Sequence, residues 1–92
     1  MKVVYKESFI IRLENQLDYI AQDSTARAKK FKNELLKRIY KARRNPRQFR
    51  KSVYFDDPNI RDLIFKGYTV VFRVNKNTIE VFGFLKFQKN PL

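Results

Sequence analysis

Histidine, cysteine and tryptophan are all absent from this chain of 92 residues. Without histidine the chain lacks the commonest general base at neutral pH and the commonest metal ligand. Without cysteine it has no thiolate nucleophile, no disulfide and none of the other usual zinc ligand. Together these absences all but exclude a zinc site, and no metal or other cofactor is expected. Any chemistry would fall to Lys, Arg, Tyr, Asp or Glu. Glycine is scarce, with only Gly67 and Gly83, so there is no glycine-rich loop to cradle a phosphate. No apolar run reaches the length of about eighteen residues that a membrane span needs. The start, Met1-Lys2-Val3-Val4-Tyr5, has no apolar signal core. A soluble, cytoplasmic protein that needs no membrane is the expectation.

What is present is positive charge. Lys and Arg number 21 against 9 Asp and Glu, for a formal net charge of +12. Residues 27–51 hold twelve of the cations. Arg27, Lys29, Lys30, Lys32, Lys37 and Arg38 come first, then Lys41, Arg43, Arg44, Arg47, Arg50 and Lys51, with Glu34 as the one acid among them. A face that is merely solvated mixes signs. An excess of one sign points to a polyanionic partner: RNA, DNA or an acidic protein. The chain is nonetheless 43% hydrophobic and 15% aromatic, which argues for a packed domain over disorder. One domain over residues 1–92 is expected, its modest core enlarged by nine Phe and five Tyr.

The hydrophobic pattern divides the chain. Val3-Val4-Tyr5 predicts a strand at about 2–5. Ser8 is placed to cap a helix whose apolar stripe is Phe9, Leu13, Leu17, Ile20 and Ala21. Asp23 or Ser24 then caps a second helix over about 24–44, with Ala28, Phe31, Leu35, Ile39 and Ala42 as its stripe. Pro46 ends it. A basic, aromatic loop over 45–59 leaves room for a short strand at Ser52–Phe55, and Asp57-Pro58-Asn59 is turn chemistry. Strands follow at Ile60–Lys66, Tyr68–Asn75 and Thr78–Phe87, joined by tight turns at Lys66-Gly67 and Asn75-Lys76-Asn77. In the last strand Ile79, Val81, Gly83 and Leu85 alternate with Glu80, Phe82 and Phe84. The implied class is α+β: an N-terminal strand, a two-helix hairpin and an antiparallel meander, giving an antiparallel sheet of about four strands backed by two helices. Both faces of the central strands are apolar, so helices cover one and something else partly covers the other.

In this order and spacing the chain resembles the RelE/ParE superfamily of bacterial type II toxins. The pieces are Tyr19-Ile20-Ala21, Ala28 with Phe31, Ile39 ahead of Asn45-Pro46, Ile60-Arg61 with Leu63, Tyr68-Thr69-Val70-Val71-Phe72-Arg73-Val74, and Ile79, Val81 and Gly83-Phe84-Leu85 running into a basic tail. The resemblance implies a growth-inhibiting toxin of the plasmid-stabilisation kind, neutralised by an acidic antitoxin that wraps it. RelE-like members cleave mRNA on the ribosome; ParE-like members act on DNA gyrase and are not nucleases. Many members carry a His and a basic cluster after the last strand, where Lys86-Phe87-Gln88-Lys89 stands here. Ribonuclease members often add a Tyr near the C-terminus, and none stands there. The sequence therefore leans toward the ParE-like, gyrase-binding reading. The RelE-like ribonuclease is the alternative, and a non-toxic basic binding module of the same fold is a third.

A ribonuclease needs a base, cations for the pentacoordinate phosphorane and an acid for the leaving oxygen. Its catalytic set here would be Arg61 and Arg73 on adjacent strands, assisted by Lys51 and Lys86. The resemblance puts Arg61 at the position that stabilises phosphate charge. The candidates for contact with a polyanion or partner are Lys37, Arg38, Lys41, Arg43, Arg44, Arg47, Arg50 and Lys89. All these cations are expected to converge on one concave face. Asp56, Asp57 and Glu80 read as turn and cross-strand partners.

Overall fold

The computed structural model describes residues 1–86. Phe87 and Lys89, read as the end of the last strand and as a polyanion contact, lie outside the described residues. The elements are β1 (Lys2–Tyr5), α1 (Glu7–Asp23), α2 (Thr25–Ala42), a 3-10 turn (Pro46–Gln48), β2 (Arg50–Lys51), β3 (Ile60–Phe65), β4 (Tyr68–Val74) and β5 (Thr78–Lys86). The α+β class and the order strand, helical hairpin, meander are as expected. The sheet is larger and mixed: five strands in the order β1-β5-β4-β3-β2, with β1 parallel to β5. A parallel pair needs a long connection, and the helices with the meander supply it.

Local chemistry explains the boundaries. Ser24 caps α2, its Oγ accepting from the Arg27 N–H at 3.1 Å. Ser8 does not cap α1: Lys6 holds that position without a side-chain bond, and the Ser8 hydroxyl donates to the Phe82 carbonyl at 2.7 Å. The short strand falls at Arg50–Lys51 instead of Ser52–Phe55. The Ser52 N–H still reaches the Ile60 carbonyl, but the Val53 N–H donates to the Asp62 carboxylate at 3.1 Å, which turns the chain off the sheet edge. Lys66 and Gly67 both have positive φ, 46° and 81°, the hairpin geometry that their sequence predicted.

The core lies between the helices and one sheet face. Phe9 and Leu13 of α1 and Phe31, Leu35 and Ile39 of α2 meet Leu63, Phe65, Val70, Phe72, Ile79, Val81 and Phe84. The other face carries Val71, Thr69 and Asp62, all buried. Loop 52–58 partly covers it: Phe55 packs edge-on to Phe82 at 5.5 Å, and Asp57 holds Arg73 at 3.0 Å.

A bulge corrects the alternation read for β5. Val71 pairs with Gly83 and Phe72 with Val81, which leaves Phe82 without a partner. The extra residue shifts the parity. Phe84 therefore falls on the same side as Ile79 and Val81 and packs in the core. Gly83 faces Val71 closely: a Cβ there would lie 2.9 Å from the Val71 Cβ. Gly83→Ala is expected to cost about 1–3 kcal/mol through overpacking. Urea denaturation measures it.

Candidate functional site

Strand alternation decides what the sheet cations can do. Arg61 stands opposite Phe72, a core residue, so it points to the helix-side face. Arg73 stands opposite Ile60 and Glu80 and points to the other face. Lys86 pairs with Tyr68, at the opposite end of β4 from Arg73. Five residues of strand separate those ends, about 17 Å. Lys51 is exposed and pairs with Arg61. The four cations of the ribonuclease set are thus split between two faces and two ends of the sheet.

Two of them are also bound internally. Arg61 donates from Nε to the Pro58 carbonyl at 2.9 Å and from Nη1 to the Arg47 and Phe49 carbonyls at 3.0 Å each. It ties three loop carbonyls to β3. Arg73 donates to Asp57 at 3.0 Å, and Glu80 stands opposite it in the register. Asp57 and Glu80 are thus cross-strand and turn partners of Arg73, as the sequence suggested.

The polyanion candidates also divide. Arg47 donates to Asn59 at 2.8 Å, and Arg50 pairs with the fully buried Asp62 carboxylate at 3.2 Å. Arg43 lies over the Tyr40 ring, 4.0 Å from its centroid, beside a shallow hollow that Met1 and Lys2 help to line. Arg44 is exposed just past α2. Among the described candidates, Arg43, Arg47 and Arg50 are each engaged locally and are not among the residues that line a hollow with Lys37, Arg38 and Lys41.

Lys37, Arg38 and Lys41 do converge. They line one side of an open groove of about 660 Å³ between α2 and the β3–β4 hairpin. Phe65 and Lys66 form the other side. Arg38 and Lys66 both approach the Phe65 ring, at 5.9 and 5.5 Å. Lys66 Nζ also reaches the Glu34 carboxylate at 2.5 Å. The sequence reading missed Lys66, taken as a turn residue, and Tyr40, which is 56% exposed and lines the groove as well. The available signal was Glu34, a lone acid on a basic helix, which would draw any cation brought near it.

Electrostatics around these groups are simple. The Lys66 hydrogen bond holds the Glu34 carboxyl below the ordinary range. The Asn59 backbone N–H, and then Arg73, do the same for Asp57. Lys6 and then Asn75 do it for Glu80. Each carboxylate gives up its charge less readily folded than unfolded. Their contribution is complete above the unfolded values, about 4, and is lost as pH falls through the lower folded values. The urea midpoint should stay level from about pH 7 to about pH 5 and decline below about pH 4. A midpoint that rose on acidification would contradict these pairings.

Among the described residues no cluster of His, Cys, Asp and Glu is placed to hold a metal, and no helix is long and apolar enough to cross a membrane. Residues 3–91 match the family model of the ParE toxin of type II toxin–antitoxin systems, parDE. The chain belongs to this family. No curated protein matches it. Membership makes it the toxin of a type II toxin–antitoxin module and implies an antitoxin as its partner. For a ParE-type toxin the arrangement above divides the cations into two kinds. Arg47, Arg50, Arg61 and Arg73 hold the loops and the second sheet face together. Lys37, Arg38 and Lys41 line a surface groove.

Proposed function

We propose that this ParE-type toxin binds and inhibits DNA gyrase and performs no chemical step of its own. The observation that carries the reading is the separation of Arg61, Arg73 and Lys86. Phosphoryl cleavage needs its cations and proton carriers around one phosphate, within hydrogen-bond reach of it. Here Arg61 and Arg73 face opposite ways, and both are engaged by the fold. The family match to a ParE toxin supports the same side of the choice. On this reading the toxin acts in the cytoplasm, where gyrase works on DNA.

The test uses the purified chain on two substrates. Gyrase supercoiling of relaxed plasmid should fall with increasing toxin, while mRNA on translating ribosomes stays intact. Induction in cells should give filaments and DNA-damage signalling with whole messages. Cleaved messages and an unaffected gyrase would reverse the reading in favour of the ribonuclease.

A further inference from the structure

We infer that the groove between α2 and the β3–β4 hairpin is the toxin's docking site for an acidic, amphipathic helical segment of gyrase. This rests on the gyrase reading above. Three observations shape the occupant. The first is charge. Lys37, Arg38 and Lys41 come from the helix and Lys66 from the hairpin, with Glu34 as the one acid lining the groove. The second is that the groove already accommodates a carboxylate. Glu34 sits against Lys66 at 2.5 Å, with the fields of Lys30 and Lys37 on it as well. An incoming Asp or Glu would meet the same surroundings at Lys37, Arg38 and Lys41. The third is the wall. The exposed ring of Tyr40, the edge of Phe65 and the methylene stems of the lysines offer apolar contact.

A nucleic-acid backbone fits less well. It has no apolar side chain to set against the wall of Tyr40 and Phe65. A helix that carries acidic and apolar residues at helical spacing on one face meets both the charge and the wall. The helix supplies the matching period: Lys30, Lys37 and Lys41 follow at i, i+7 and i+11, so they share one flank of α2 over about 16 Å. An acidic helix laid alongside repeats at the same rise, so its carboxylates stay in step with the lysines.

The experiment compares two charge-reversed variants. Lys37→Glu with Lys41→Glu changes the groove. Lys29→Glu with Lys32→Glu changes the opposite flank of α2 by the same charge. Each is measured for inhibition of gyrase supercoiling, for affinity to the cognate antitoxin and for affinity to a short DNA duplex. The groove pair should weaken inhibition by about tenfold or more, and the flank pair by about twofold or less. Tyr40→Ala, which keeps all the charge, should weaken inhibition severalfold. Antitoxin affinity should move little in the groove pair. Equal losses in the two charge pairs would overturn the site, since attraction would then be spread over the surface. Inhibition unchanged in the groove pair, with antitoxin affinity lost, would assign the groove to the antitoxin and overturn the proposal. Inhibition that follows duplex affinity through every variant would make the groove a nucleic-acid surface and overturn the proposal equally. If the unmodified toxin does not inhibit gyrase, the functional reading fails first, and that result is separate from all of these.

Discussion

Replacing Arg61 by alanine is expected to destabilise the protein by about 3 kcal/mol, because hydrogen bonds from charged groups contribute about 1.5–3 kcal/mol each and the exposed share of the side chain discounts the sum. The guanidinium serves three carbonyls, those of Arg47, Phe49 and Pro58, from two separate loops. Lysine is a poor substitute, since a single ammonium does not reproduce the planar fork that spans them. Arg61→Lys should therefore recover less than half of the loss. The check is urea unfolding of both variants, with growth inhibition measured in parallel. At a temperature where Arg61→Ala remains folded, it should inhibit gyrase like the unmodified chain. A folded Arg61→Ala protein that has lost activity would place the residue at the working surface, against the bracing role.

The second large effect is expected at Phe9. Its ring is almost completely buried and joins three elements. It stacks on Tyr5 of β1 at 5.6 Å and meets Phe84 of β5 edge-on at 5.8 Å. Phe9→Ala should cost about 3–5 kcal/mol, the range for removing a large buried side chain. That is a large share of the roughly 5–15 kcal/mol that holds a typical domain together. Phe9→Leu, which keeps most of the volume, should cost less than about 1.5 kcal/mol. Thermal and urea unfolding distinguish the two. A loss below about 1 kcal/mol for Phe9→Ala would mean that the site collapses around the gap, and α1 would then be held mainly by its other contacts.

Much of this architecture could be read from residue spacing. The stripe of Ala28, Phe31, Leu35, Ile39 and Ala42 predicted α2, and all five are buried. Lys66-Gly67 predicted its hairpin because two successive residues with positive φ suit few sequences. What escaped depends on partners distant in sequence. A strand such as Val3-Val4-Tyr5 announces extended backbone but not its neighbour or direction, so the parallel pairing with β5 was not visible. The bulge at Phe82 was hidden because the residues around it are apolar on both sides. The resemblance put Arg61 at the position that stabilises phosphate charge; its partners in the fold are main-chain carbonyls, which every sequence possesses and none displays. The groove was half legible. Its helical side followed from the surplus of lysine and arginine on α2, while Lys66 arrived there only through the hairpin's reach across to Glu34.

The parallel pairing of β1 with β5 has a consequence for synthesis. β1 leaves the ribosome well before Thr78–Lys86, the strand it pairs with, and Phe9 must wait equally long for Phe84. Contacts of such long sequence separation form late. A nascent chain halted anywhere before β5 therefore carries α1 without its cover from that strand, a state prone to association or degradation. The toxin's potency is thereby tied to the making of β5, since no shorter stretch of the chain can close the sheet around β1.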